Sequence, residues 1–346
     1  MQTQCIQEQI VFQQLGRREV IGRFDGGMIS SDTGGLLLRE VERGFGILRR
    51  FAACFRDYRD SQRTEHSLKS LIRQRVYGIA LGYEDLNDHD SLRHDVVMGV
   101  LCEKSDPCGS ERARKRDRGK AIAGKSTLNR LELTPEDANE KSRYKKIVAN
   151  GDQIDDLMVD VYIQAQPTAP EEVVLDIDNT DDILYGKQEG RFFHGYYGDY
   201  CYLPLYIFCG EHLLCARLRV ASEEKDVRTL YEDFYCARGD MENRIKEQQL
   251  GLFADRTSTA WMRSNQLRLY FSSFAYIMMQ RLRQLGLQGT ELAQAQCDTI
   301  RLKLFKIGAQ IEVTVRKVWI SFSESYPSLN LFQRVFTRLQ QIPSGG

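Results

Sequence analysis

Proline is scarce in this chain, seven residues in 346, and no run of about eighteen apolar residues occurs, so a membrane-spanning helix is not expected. Low-complexity tracts are lacking too, which separates the sequence from disordered and fibrous classes. A secretory leader is not expected, because Gln2, Gln4, Gln7, Glu8 and Gln9 make a polar start without a basic residue leading into an apolar stretch. The nine cysteines include no Cys-x-x-Cys pair, and their odd number argues against a disulfide framework. Reduced thiols and a cytoplasmic location follow as expectations. Net charge is absent as well: 48 Lys and Arg balance 48 Asp and Glu, which by itself says nothing for nucleic acid. The length is enough for two ordinary domains with real cores.

The distribution of charge is more informative than its sum. From Arg112 to Arg130 there are eight basic residues (Arg112, Arg114, Lys115, Arg116, Arg118, Lys120, Lys125 and Arg130) against one acid, Asp117. From Arg256 to Lys317 ten basic residues face Glu291, Asp298 and Glu312. Such stretches supply the phosphate-neutralising charge that dominates DNA affinity. The bland alternative is a solvated helix face or loop.

Apolar periodicity predicts helices in residues 28–100. One follows Ser31-Asp32 through Leu36, Leu37, Leu38 and Val41, with Gly44 and Gly46 as stop signals. Another spans Ser67 to Leu81, and a third helical region runs from Leu86 to Val100. Residues 103–125 read as a charged linker, and Ser126 to Glu132 as a short helix whose polar side chains could face a groove. Small helices with basic linkers suit a DNA-binding module, and a generic helical domain nearly as well. The boundary is expected at Pro167 and Pro170, giving a helical region 1–165 and a second region 170–346.

Beyond that boundary the pattern changes to strand. Val173 to Asp178 is a short buried-strand pattern ending in acids, followed by Tyr200 to Phe208 and Leu213 to Val220, with Gly210-Glu211-His212 as the hairpin turn. Helices return over Asp226 to Gln249 and Ser258 to Leu285, and Ile311, Val313 and Val315 alternate with polar residues as a half-exposed strand. On the 226–249 helix, Tyr235, Arg238, Glu242 and Lys246 fall on one stripe, beside an apolar stripe of Leu230, Phe234, Ala237, Met241 and Ile245. A carboxylate beside a guanidinium and an ammonium suits metal-dependent phosphoryl transfer on DNA; an exposed salt-bridge ladder is the competing reading. Asp176 and Asp178 share one face of their strand, and two acids in a buried strand need a cation or a donor. Magnesium, or manganese in its place, is the expected cation, with Asp178, Glu242 and Asp176 as ligands.

These residues carry a resemblance. Asp178-Asn179-Thr180 resembles the Asp-x-Thr of the first catalytic strand of DDE transposases, and Tyr235-x-x-Arg238-x-x-x-Glu242 matches the signature of one cut-and-paste insertion-sequence group. Residues 72–95, 126–132, 173–219 and 231–269 read almost continuously like one subgroup of these bacterial transposases, and the likeness spans about residues 28–340. Where the signature usually carries a Lys seven positions after the Glu, this chain has Gln249, and the nearest Lys is Lys246.

The resemblance implies a helical N-terminal DNA-binding region followed by a ribonuclease H-like core, an α+β or α/β arrangement of three antiparallel strands, a helix and further parallel strands. It implies binding of double-stranded DNA at terminal inverted repeats, metal-dependent cleavage and strand transfer, and work at the nucleoid rather than a membrane. It leaves pairing with a second copy open. The chain departs from the family in one place. The middle catalytic Asp, typically in an Arg-x-Asp-Ser-Gly-Phe context, has no counterpart, and only Val220 to Arg228 separate Arg219 from Thr229. An internal deletion around 220–228 would leave a truncated core and impaired catalysis, and would leave the Asp178 strand with an open edge. The alternative function is a non-catalytic derivative that binds and competes for transposon ends; a metal-dependent nuclease without strand transfer has less support.

Overall fold

The computed structural model describes residues 9–220 and 239–343. The chain starts with an exposed hairpin, β1 (Ile10–Leu15) and β2 (Arg18–Gly22), followed by β3 (Met28–Ser30). Helix α1 (Leu36–Phe45) stops at Gly46, whose φ of 59° is the left-handed conformation that glycine adopts without steric cost. Helix α2 (Ile47–Ala53) leads to β4 (Phe55–Asp57), and α3 (Leu68–Ala80) starts where the Ser67 hydroxyl accepts from the Ser70 N–H.

The helical region expected over 86–100 is broken into α4 (His89–Leu92) and α5 (Val96–Leu101). The break has a local cause: Asp95 Oδ1 accepts from the N–H groups of Val97 and Met98, so it caps a new helix instead of continuing the old one. Then come α6 (Lys125–Glu132), β5 (Ile147–Ala149) and α7 (Gly151–Ala165), the last capped by the Asn150 side chain.

The strand-rich region holds β6 (Asp176–Asn179), β7 (Asp182–Ile183), β8 (Phe192–His194), β9 (Asp199–Tyr202), β10 (Leu205–Cys209) and β11 (His212–Arg217). Strands order as β11-β10-β6 in one antiparallel sheet, and the intervening segment folds into a small sheet of its own, β7-β9-β8. The first strand starts at Asp176, later than the Val173 that the apolar run suggests. Past residue 238 come α8 (Gly239–Lys246), which runs into a wide helical turn at Glu247–Gly251, then α9 (Met262–Leu282) and α10 (Cys297–Ile300). The chain closes with β12 (Ala309–Val313), β13 (Val318–Phe322) and α11 (Leu329–Gln340).

Helix α9 is the axis of the core. From Leu267 to Leu282 all but Arg268 are buried or nearly so, and α1, α3 and β11 pack around it. Phe274 stacks on Phe51 of α2 at 3.9 Å between ring centroids, a contact worth more than its area alone. Polar anchors fix the packing: Glu132 at the end of α6 is fully buried and pairs with Arg75 of α3 at 2.7 Å and Arg268 of α9 at 2.8 Å. Strand β3 pairs with β12, so the beginning and end of the chain share a sheet. The architecture is a mixture of helix with small sheets, and every strand pairing among the described residues is antiparallel. Among those residues no helix is long and apolar enough to cross a membrane.

Candidate functional site

Strand β6 places Asp176 opposite Phe208 and Asp178 opposite Tyr206. Cross-strand partners share a face, so both carboxylates lie on the side of the fully buried Phe208 and Tyr206. The intervening Ile177 turns outward and is 53% exposed, and Val173, Val174 and Leu175 are exposed before it. The expected buried strand is therefore inverted in its surroundings: acids face inward and apolar side chains face water. Its position explains this. Strand β6 is an edge of its sheet, with no ladder on its outer side among the described residues.

Asp178 Oδ1 accepts from the Asn179 N–H at 2.8 Å, and Asn179 Oδ1 accepts from Arg219. Just beyond, Asp182 is buried beside Tyr206. Burial, opposed by a hydrogen bond from Gln249 and reinforced by Asp255 and Asp181, pushes its carboxyl up to about 8. At neutral pH this acid keeps its proton.

On the second element, α8 keeps Met241 and Ile245 in the core, as the apolar stripe requires. Glu242 and Lys246 are exposed and pair with one another at 2.6 Å across one turn, which is the geometry of the salt-bridge ladder. Tyr235 and Arg238, with Asp226, lie outside the described residues. Gln249, two turns after Glu242, is the side chain that reaches the Asp178 segment. Its amide donates to Thr180 Oγ1 at 3.3 Å and Asp182 Oδ1 at 3.2 Å. Two turns of helix separate Glu242 from that contact by about 10 Å along the axis. The neighbouring Glu247 points inward, pairing with Arg283 and accepting from the Cys297 N–H.

A divalent cation needs three or more donors converging on one point. Among the described residues no three Asp, Glu, His or Cys side chains gather in that way. Asp176 and Asp178 are brought to one face, but Glu242 is engaged with Lys246. Among the described residues the donor set that the sequence suggests is thus not assembled.

The basic region behaves differently. A cleft of about 1060 Å³ opens between α6 and the loops that follow β4 and precede β5. Nine Arg and Lys side chains line it against Asp60, Glu65 and Asp117. Arg114, Arg116 and Arg130 belong to the stretch singled out by charge, and Ser126 and Thr127 of α6 also face the cleft. Lys115 and Arg118 are exposed beside them. The other members of the stretch are held. Arg112 pairs with Glu65 at 2.5 Å and donates to the Lys120 carbonyl, Lys120 donates to the Arg116 carbonyl, and Lys125 pairs with Asp90.

The opposite wall escaped sequence reading. Arg59, Arg63, Arg143 and Lys146 reach the cleft because β4 pairs with β5, Phe55 opposite Ala149 and Asp57 opposite Ile147. That long-range ladder, extended by the Tyr58 N–H donating to the Lys146 carbonyl at 2.8 Å, joins residues 59–63 to 143–146, and no local pattern announces it. At the floor, His66 is buried between Lys104 and Arg112; burial first, then those cations, depress its basicity to about 3 and keep it neutral. Tyr144 stands half-exposed in the cleft with the guanidinium groups of Arg130 and Arg143 over its ring at 5.1 and 4.9 Å.

Elsewhere the aromatic loop around β8 leaves Tyr185, Phe193 and Tyr196 exposed. His89 is fully buried and hydrogen-bonds to Gln74.

The transposase DDE domain group 1 family matches the chain over residues 12–229 and again over 220–344. No curated protein and no solved structure matches it.

Proposed function

The chain belongs to the DDE-type insertion-sequence transposases of domain group 1, and from that premise we propose that it binds the ends of its element while being impaired in cutting and joining them. The family works on DNA and generally uses a divalent cation, which we take to be magnesium or manganese. The binding half of the reading is supported by the basic cleft, whose Arg114, Arg116 and Arg130 face outward where a phosphate backbone would lie. Residues 1–165 are proposed as the region that holds the terminal inverted repeat.

The chemical half rests on one observation above the others: the family match falls into two segments that overlap over 220–229. That is where the sequence lacks the middle acid. An internal deletion there removes the ligand shared by two metal ions, which clamp the attacking and leaving oxygens of in-line displacement. Strand β6 is the edge of its sheet among the described residues, which fits a core whose neighbouring strand is missing. Asp178 and Glu242 remain, in a ribonuclease H-like core that is proposed to be truncated.

The test is a donor plasmid carrying matched inverted repeats, incubated with protein and magnesium or manganese. Retarded migration of the repeat duplex without excision or joining is the expected result. Cleavage at the repeat ends that Asp178→Ala or Glu242→Ala abolishes overturns the proposal of impairment.

A further inference from the structure

We propose that the cleft between α6 and the β4–β5 ladder holds one sugar-phosphate strand of DNA against two walls, with Tyr144 as the positioning residue that keeps Arg130 and Arg143 turned towards it. This rests on the reading of the protein as a DNA-binding transposase, but beside Arg130 it assigns the contact to Arg63, Arg143, Tyr144 and Lys146, which charge counting along the sequence does not reach. Arg130 comes from α6 and Arg143 from the segment before β5, so Tyr144 joins the two.

The chemistry is specific. A guanidinium over an aromatic face is held by the ring quadrupole, and little of its hydrogen-bonding edge is used in doing so. Two such groups fixed on one ring present their donor edges at low entropic cost, whereas free arginines lose rotamer freedom on binding. Neither Arg130 nor Arg143 has an acidic partner among the described ion pairs. Arg63, by contrast, pairs only loosely with Asp60 at 3.4 Å and is 88% exposed, and it completes the far wall with Lys146. A planar, multiply donating cation matches phosphate oxygens well. The buried His66 stays neutral and therefore adds no charge, leaving the walls to set the attraction.

The test uses the full chain and a fluorescein-labelled duplex of unrelated sequence, since a backbone site reads no bases. Affinity is measured by anisotropy across a salt series. Arg63→Ala, Arg143→Ala and Lys146→Ala are each expected to lower affinity about threefold to tenfold and to reduce the salt slope by about one. Tyr144→Ala is expected to cost as much as Arg130→Ala combined with Arg143→Ala, and to add nothing on top of that pair. Tyr144→Phe, which keeps the ring, is expected to bind like the parent. Full additivity of Tyr144→Ala with the two arginine changes overturns the positioning role, because it means that the ring contacts DNA itself. Normal binding by the far-wall variants, alongside loss in a variant with Arg114, Lys115, Arg116 and Arg118 all changed to Ala, overturns the two-wall site and leaves the DNA-binding reading standing. Failure of the parent protein to bind any duplex removes that reading itself. Circular dichroism of each variant separates lost contact from lost fold.

Discussion

The basic cleft and the acidic strand are both built from charged side chains, and the structure treats them in opposite ways. Around the cleft, the anchoring ions are buried and the working ions are left outside. Glu132 sits in the core between Arg75 and Arg268, so the inner face of α6 is fixed while its outer face offers Ser126, Thr127 and Arg130. Around β6 the order is reversed. Acids face the packed side, apolar residues face water, and the acid that reaches the core is Glu247, just past α8, rather than Glu242. A preorganised site needs rigid support behind its first contacts. The cleft has that support, and among the described residues the acidic strand has no partner on its outer edge.

The sharpest way to break this contrast is to remove the anchor. Glu132→Ala leaves the buried Arg75 and the partly buried Arg268 without a carboxylate and is expected to destabilise the fold by about 3–5 kcal/mol, seen as a large drop in the thermal midpoint. A near-normal midpoint would mean that α6 is not held from within.

Next in size is the outer face. Replacing Arg114, Lys115, Arg116 and Arg118 together with Ala is expected to weaken duplex binding by about a hundredfold or more at low salt and to flatten its salt dependence, with the midpoint of unfolding nearly unchanged. Equal binding by parent and variant would reduce this face to a linker.

A smaller effect is expected at Asp182. Its folded carboxyl titrates at about 8, well above the ordinary 3.8. The folded state therefore holds a proton that the unfolded state releases, and stability falls as pH rises from about 4 through 8. Asp182→Asn removes that loss, so the variant is expected to melt higher than the parent at pH 8 but not at pH 4. A parallel pH profile for both proteins would show that the acid is not buried as described.

The smallest change tests Glu242. Its exposed pair with Lys246 contributes about 0.5 kcal/mol or less, so Glu242→Gln is expected to leave the midpoint within about a degree of the parent. A large loss would make Glu242 part of the framework instead of a side chain facing solvent.

Much of this was legible in advance for physical reasons. Alternation along a strand was enough to put Asp176 and Asp178 on one face, and Ser67 and Gly46 mark helix ends because their local chemistry does the capping. The basic stretch stood out because its charges are consecutive. What local pattern could not supply was direction and partnership. Arg112 and Lys125 count as cations in any tally, yet their charge is spent on Glu65 and Asp90. Arg59, Arg63, Arg143 and Lys146 become neighbours only through the β4–β5 ladder. The apolar run before Asp176 reads as buried because hydrophobicity records what a strand was suited to cover, not whether a covering layer is there.

The pairing of β3 with β12 sets the timetable of folding. Thr33 Oγ1 donates to the Ile307 carbonyl at 2.6 Å, across 274 positions of chain, and α3 waits for α9 before its buried face has a partner. Domains commonly fold as they emerge from the ribosome, first residues first. This chain cannot finish its N-terminal half that way, because β12 and α9, the partners of β3 and α3, are synthesised long after them. Contacts of such long sequence separation also slow the search. A premature stop before residue 309 is therefore expected to leave β3 without the strand it pairs with.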